Sequence, residues 1–323
     1  MVLLIPGEGQ DVSSSARINE LKEFVSFYEY LGTHLWNHRS LWRLLVVPGN
    51  HETTFLPDGT ADKLKTFRKY IADKKEVVSP FSSAMTKFKD NLGEVSVDIF
   101  GGAKYAEPPF ALIRDKRLDL RLLLLVSSYY SGFVPDEVRR ELKNMGHGDA
   151  KQRLRELLRQ DTGELKDEYI SKVRSELFRQ DSPAVTIAVT HHNMCQYGSY
   201  SNPVPSNAKS LLSSLADLNV RVLIHGHTHL AESDEVSRPA LDGEAYPIPC
   251  PTLAGPPAPG NVNGFMLHMF GPATTPRMMT SLLWTLDQSF DFVRQKNNPH
   301  VKYRLEIYKE KVIIRKKARR WVH

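Results

Sequence analysis

The chain is poor in cysteine and in long apolar runs. Only Cys195 and Cys250 occur among its 323 residues, which is too few for a disulfide framework and predicts reduced thiols. No apolar run approaches the roughly 20 residues that a membrane-spanning helix needs. The N-terminal apolar stretch ends at Pro6-Gly7 without the layout of a signal peptide. We therefore expect a soluble, cytoplasmic protein with no membrane partner.

Length and composition are typical of a globular α/β protein. The chain is 41% hydrophobic and 25% charged, and it shows no internal repeat. A chain of this length can bury one large core, with or without an inserted helical segment. We predict a single domain over residues 1–323 with a helical insertion at residues 135–180.

Three apolar, partly β-branched runs stop abruptly at side chains that bind metals. A buried parallel strand delivers ligands to the carboxyl edge of an α/β sheet in this way. The runs are 44–47, before Gly49-Asn50-His51-Glu52; 184–190, before His191-His192-Asn193; and 220–224, before His225-Gly226-His227-Thr228-His229. The pattern predicts that these strand ends face one another.

The spacing of His227 and His229 is the sharpest of these signals. Imidazoles separated by one residue can reach different ions of a pair roughly 3.5–4 Å apart, the arrangement used by two-metal hydrolases. Any one histidine taken alone is more often structural than a ligand. The clustering of histidines at three strand ends favours the metal site.

With these motifs the chain resembles the calcineurin-like metallophosphoesterase family. The family pattern runs D-x-H, G-D, G-N-H-[DE], a later His and G-H-x-H. The chain matches Gly49-Asn50-His51-Glu52, His191 and Gly226-His227-Thr228-His229 in that order. The resemblance covers most of residues 1–270. It implies a two-sheet αββα sandwich of the metallophosphoesterase type and metal-dependent hydrolysis of phosphate esters at a dinuclear centre.

The start of the chain departs from the family pattern. Glu8 follows Gly7 where the family has the Asp of G-D, and no D-x-H element occurs. The first strand of the family would precede residue 1, so the domain is expected to lack it. Two interpretations stay open: a shortened chain, or a natural variant with a degraded site.

The resemblance also implies a ligand set for each ion. One ion would be held by Glu8, Asn50, His191 and His227, while the other would retain only Glu8 and His229. We therefore expect one good site and one poor one, holding Mn²⁺, Fe²⁺ or Zn²⁺.

The neighbouring residues receive different predictions. By resemblance, His51 stabilises the transition state or protonates the leaving oxygen, and a group that titrates near neutrality suits this role. Glu52 is expected to orient the loop or cap the following segment, in a role beside the ligands rather than as one of them. Side chains alternate along a strand, so only one of His191 and His192 is expected to face the site, and His191 is favoured. Cys195 is not expected to bind the metal, because the other ligands are imidazoles and hard oxygens.

The rest of the chain follows a coarse α/β pattern. Helices are predicted at 13–36, at 62–74 and within 135–180, and strands at 118–126, 264–270, 303–308 and 312–315, the last three in a second sheet. Pro247 to Pro259 is predicted to be a loop that rims the site rather than a linker.

Two alternatives to catalysis are kept. The chain can be an impaired or inactive metallophosphoesterase scaffold that acts as a binding module, which the missing D-x-H and Glu8 favour. It carries a net charge of +6 and a basic C-terminus from Lys309 to Arg320. This run is more typical of a solvated strand face, but it can also attract nucleic acid. The sequence leaves open whether the substrate is a monoester or a diester.

Overall fold

A computed structural model describes residues 44–49, 54–55, 61–62, 77–82, 95–101, 108–129, 136–159, 163–179, 185–195, 204–228, 244–250, 264–271, 277–285, 300–307 and 312–317. The fold is α/β. Its strands are β1 (Leu44–Leu45), β2 (Thr54–Phe55), β3 (Ala61–Asp62), β4 (Val77–Val78), β5 (Val95–Phe100), β6 (Phe110–Asp115), β7 (Leu120–Leu125), β8 (Val185–Thr190), β9 (Val220–His225), β10 (Tyr246–Pro249), β11 (Gly264–Phe270), β12 (Arg277–Thr285), β13 (His300–Ile307) and β14 (Val312–Lys317). Its helices are α1 (Asp136–Asn144), α2 (His147–Arg159), α3 (Asp167–Phe178) and α4 (Ala208–Asp217).

The larger sheet has six strands in the order β10-β9-β8-β7-β6-β5. Strands β7 to β10 run parallel, whereas β5, β6 and β7 pair antiparallel. The sheet is therefore mixed, and its parallel part includes β8 and β9, whose carboxyl ends carry the histidines. β1 pairs with β4 in a parallel sheet of two strands.

The parallel half is apolar because both of its faces are covered. Every residue of β8 is buried, and the Leu-rich β7 and the Val/Ile-rich β9 are nearly so. Strands buried on both faces read as continuous hydrophobic runs rather than alternating ones. The apolar runs at 184–190 and 220–224 thus correspond to the neighbouring strands β8 and β9, whereas the run at 44–47 contains β1, which pairs with β4 in the sheet of two strands.

One face of the six-stranded sheet packs on a separate antiparallel sheet of four strands, ordered β11-β12-β13-β14. Side chains of both sheets belong to one buried cluster, which includes Leu124 and Ile224 from the first sheet and Met279 and Leu305 from the second. Burial of such side chains is the main favourable contribution to folding. The predicted second sheet is thus present, and it gains β12, which the sequence did not predict.

Helices cover the opposite face. α3 buries Tyr169, Val173 and Leu177 against this face, and α4 buries Leu211 and Leu215. α3 is also tied to the sheet by hydrogen bonds, because Tyr169 Oη donates to the carbonyl of Pro109 at 2.9 Å. The segment 135–180, which was predicted to be helical, contains α1, α2 and α3. α3 packs in the core beneath the large sheet.

The proline-rich segment is a correction to the sequence prediction. Tyr246–Pro249 is not a loop: it forms β10, paired with β9 at the edge of the large sheet. An edge strand tolerates Pro247 and Pro249, because a strand with one neighbour leaves half of its backbone N–H groups outside the ladder. Residues 251–259 lie outside the described part of the chain, as do the predicted helix at 13–36 and residues 63–74 of the helix predicted at 62–74. Asp62, the first residue of that predicted helix, is instead the last residue of β3.

The described helices were compared with the requirements of a membrane-spanning helix. None of them combines the length and the apolar character that crossing a bilayer requires.

His268 provides a test of the second sheet through pH. It lies opposite Ser281 in the β11–β12 pair, with Nδ1 and Oγ 2.8 Å apart. Loss of water contact lowers the pKa of His268 from 6.5 to about 4. Between these values the unfolded chain takes up a proton that the folded chain does not. Its contribution to stability is therefore complete above about pH 6.5 and falls as the pH is lowered.

We predict that His268→Gln loses less stability between pH 7 and pH 5 than the unmodified protein. The measurement is urea unfolding at several pH values. Ser281→Ala is the matched control, because it removes the hydrogen bond, keeps the ring and should preserve the slope. Equal slopes in His268→Gln and the unmodified protein would contradict the burial effect on the His268 pKa.

Arg121 provides a second test of the sheet. It is 2% exposed, lies opposite Arg114 on β6 and donates from Nε to Thr186 Oγ1 at 3.3 Å. Nothing in the described part of the chain accepts a hydrogen bond from its Nη1. Burial, and secondarily the charge of Arg114, lower the pKa of Arg121 to about 10.

We expect Arg121→Met combined with Thr186→Val to keep or raise the free energy of unfolding, by up to about 1–4 kcal/mol. Replacement of buried charged groups by apolar ones of similar volume commonly has this effect. Guanidinium unfolding at pH 7 measures it. Arg221→Met, which removes a half-exposed arginine, should bring no such gain. A double variant destabilised by more than about 2 kcal/mol would show that Arg121 stabilises the sheet.

Candidate metal centre

The candidate site lies at the carboxyl edge of the parallel strands. Ser127 follows β7, His191 follows β8 and His227 follows β9. Since β7, β8 and β9 are parallel neighbours, their carboxyl ends meet at one edge. The predicted encounter of strand ends is therefore present for β8 and β9.

A tight turn brings His227 back over the end of β8. The Gly226 amide donates to the carbonyl of His191 at 3.0 Å, and the Thr228 amide donates to the carbonyl of Gly226 at 2.8 Å. His227, between them, has a φ of 66°. A turn of this kind, with positive φ at a residue other than glycine, is rare and strained, and such conformations cluster at functional sites. The strain here places an imidazole beside His191.

Three imidazoles converge at this edge. The Nδ1 atom of His227 lies 3.3 Å from Nε2 of His191, and the ligand atoms of His191, His192 and His227 all lie within 4.8 Å of one another. Both histidines after β8 are buried. Among the described residues this group is the one with the composition and spacing to hold a metal ion.

The spacing between His191 and His227 fits ligation of one ion. Two nitrogen ligands about 2.0–2.1 Å from a tetrahedral ion lie about 3.3–3.4 Å apart. The observed separation of 3.3 Å matches this value. The distance between the two nitrogens is therefore compatible with ligation of one divalent ion.

Buried oxygens adjoin the imidazoles in the sequence. Thr190 Oγ1, Asn193 Oδ1 and Thr228 Oγ1 are buried, and none has a hydrogen-bond partner within the described segments. A buried polar atom without a partner costs free energy, so native proteins rarely keep one without a reason.

His192 is held on two sides. Its Nδ1 lies 2.9 Å from Ser127 Oγ, and its backbone amide donates to the same oxygen at 3.1 Å. Gly163, with a φ of 64°, lies so close to the ring that a methyl group there would overlap Cγ and Nδ1 of His192. The adjoining Glu164 amide donates to the carbonyl of Ser127 at 2.9 Å. Gly163 and Glu164, just before α3, therefore lie against one side of the cluster.

His225 differs from the three clustered histidines. It is the last residue of β9 and is fully buried. Burial lowers the pKa of His225 to about 4, although its hydrogen bond to Gly226 acts in the opposite direction. Its Nδ1 lies 2.9 Å from the carbonyl oxygen of Gly226, which can only accept, so Nδ1 carries the proton. His225 thus supports the turn that positions His227.

The structure brings two of the six predicted site residues together. His191 and His227 meet, whereas Glu8, Asn50, His51 and His229 lie outside the described residues. The chain just before Asn50 is nevertheless anchored to the same edge, because Ser128 Oγ donates to the carbonyl of Pro48 at 2.8 Å.

The structure differs from the expectation that only one histidine after β8 faces the site. β8 ends at Thr190, and the chain bends at His191 and His192, so alternation along a strand no longer applies. Both rings contact His227, with centroid distances of 5.1 and 4.6 Å. The sequence pointed to Ser127 as a site residue only through its position after a predicted strand. No feature of the sequence pointed to Gly163.

Comparisons with protein-family models and with curated proteins find no match for this chain. The likeness to metallophosphoesterases therefore rests on the strand-end motifs.

The geometry predicts that His191→Ala and His227→Ala each weaken binding of Mn²⁺ or Zn²⁺. Removal of a group that only hydrogen-bonds to a metal ligand lowers metal affinity by about 10–100-fold. Removal of a ligand itself should lower the affinity by more than this. Elemental analysis after dialysis and calorimetric titration measure it. His268→Gln, which alters a histidine of the second sheet, is the control. Equal metal content in all four proteins would rule out the two histidines as ligands.

Proposed function

We propose that the protein hydrolyses phosphate esters with one or two divalent metal ions. The observation that supports this most directly is the 3.3 Å approach of His191 and His227. It occurs at the ends of adjacent parallel strands, which is where open α/β sheets bind ligands. The ordered motifs Gly49-Asn50-His51-Glu52, His191 and Gly226-His227-Thr228-His229 supply the reaction class.

The ligand set proposed for the better site contains Glu8, Asn50, His191 and His227. A poorer second site would use Glu8 and His229. A divalent ion held there would supply Lewis acidity and a nucleophile at neutral pH. Imidazole, amide and carboxylate ligands together suit Mn²⁺, Fe²⁺ or Zn²⁺.

His51 is proposed as the catalytic residue. It follows Asn50 and the segment that Ser128 anchors to the edge of the sheet. A histidine at this position can hold a proton for the leaving oxygen, since its usual pKa lies near neutrality. Its role in this proposal is to act on the substrate rather than to bind the metal.

A second candidate function is binding without turnover on a metallophosphoesterase-like scaffold. Glu8 favours it, because a side chain one methylene longer than Asp does not easily meet the roughly 0.5 Å tolerance of a functional site. Nucleic acid binding by the basic C-terminus is a weaker proposal. Of its basic residues, Arg315 to Lys317 lie in β14 and the others lie outside the described residues.

We predict low, Mn²⁺-dependent hydrolysis of an aryl phosphodiester or monoester. His51→Ala should lower the rate by about 10²–10⁴, the usual contribution of a positioned acid, without loss of metal. The measurement is release of p-nitrophenol at saturating Mn²⁺, together with metal content. Full turnover in His51→Ala would reject its role. Tight metal binding without hydrolysis of any ester tested would favour the binding module.

A further inference from the structure

We propose that His192 is a third imidazole ligand of the metal centre, held in its ligating orientation by Ser127 and Gly163. This inference deepens the proposed function, since it rests on the presence of a metal at His191 and His227. It concerns a residue that the motif resemblance does not assign to the site.

The position of His192 is the first support. Its ligand atom lies within 4.8 Å of those of His191 and His227. Its ring is buried and packs 4.6 Å from the His227 ring and 4.8 Å from the His191 ring, centroid to centroid. A spacing of up to 4.8 Å exceeds the about 3.4 Å between two ligands of one tetrahedral ion. It suits ligands shared between two ions roughly 3.5–4 Å apart.

The contact with Ser127 selects the nitrogen that is available to a metal. Ser127 Oγ has two lone pairs, one of which accepts from the His192 amide at 3.1 Å. The other can accept from Nδ1, which lies 2.9 Å away. When Nδ1 carries the proton, Nε2 carries the lone pair. Histidine ligands usually donate their second ring N–H to an oxygen in this way, which fixes the tautomer and the ring orientation.

Gly163 supplies the second constraint. With a φ of 64° it occupies a conformation that favours glycine, and its lack of a side chain lets the backbone lie directly against the His192 ring. The hydrogen bond from the Glu164 amide to the Ser127 carbonyl keeps this segment in place. The helical segment between β7 and β8 thus carries one face of the site.

A third imidazole would offset the shortage of ligands in the poorer site. The motif resemblance leaves that ion only Glu8 and His229. His192 is placed on the same edge of the sheet and can supply one of the missing ligands. The proposal therefore predicts that a second metal ion binds more tightly than Glu8 and His229 alone would allow.

The test compares Zn²⁺ and Mn²⁺ binding to the full chain and its variants, with no activity readout. His192→Ala should bind less metal, through loss of the second equivalent or weakening of the centre as a whole. Ser127→Ala should weaken binding by about 10–100-fold, the usual cost of losing an outer partner. Gly163→Ala should have an effect in the same direction, because the added methyl group displaces the ring.

Matched controls separate these effects from general damage. Ser281→Ala removes a partly buried Ser–His contact of 2.8 Å in the second sheet. Gly148→Ala adds a methyl group in α2, where no described atom lies within 4 Å. Both should bind metal like the unmodified protein. If Gly163→Ala does not fold, Ser127→Ala and His192→Ala still test the proposal.

The number of imidazoles around Zn²⁺ gives a second readout. X-ray absorption of the zinc-loaded protein should show fewer imidazoles per protein in His192→Ala than in the unmodified chain. If metal binds and depends on His191 and His227, but His192→Ala and Ser127→Ala change neither affinity nor imidazole number, the role of His192 is overturned and the proposed function stands. If the unmodified protein binds no divalent metal, the proposed function itself fails.

Discussion

The architecture depends on burial of the parallel strands β7, β8 and β9 on both faces. The four-stranded sheet covers one face and helices α3 and α4 cover the other. Between these layers the strands carry mostly apolar side chains, with Arg121 and Thr186 as exceptions, since an unpaired polar group there loses its hydration without compensation. Polar chemistry is therefore displaced to the strand ends. Adjacent parallel strands end at one edge, so residues far apart in the chain meet there.

The edge is also held by several hydrogen bonds close to the imidazoles. The turn from Gly226 to Thr228 is held by backbone hydrogen bonds, and the carbonyl of Gly226 also accepts from the neutral His225. Positive φ at His227 costs free energy that the surrounding packing must supply. A strained histidine maintained by buried contacts is typical of a site organised before its ligand arrives. Such organisation would lower the entropic cost of binding the proposed ion.

The ligands also bear on the choice of metal. Imidazoles suit zinc and iron, whereas carboxylate and amide oxygens suit manganese and magnesium. A centre limited to His191, His227, Asn50 and Glu8 would contain two imidazole ligands and two oxygen ligands, and would favour neither group of metals. Participation of His192 would shift the balance toward zinc. On this proposal, metal identity would depend on Ser127 and Gly163, which the motifs do not include.

The sequence by itself determined the α/β class, the strands near 120–125, 185–190 and 220–225, and the meeting of His191 with His227. These features follow from local patterns: continuous apolar runs mark strands buried on both faces, and polar residues mark their ends. It did not determine that Tyr246–Pro249 is a strand, because an edge position makes proline acceptable and edge positions exist only in the assembled sheet. Only the tertiary structure decided that His192 joins the cluster. Its neighbours Ser127 and Gly163 lie 65 and 29 residues earlier in the chain, and contacts over such separations arise from packing of the helical segment on the sheet rather than from any local pattern.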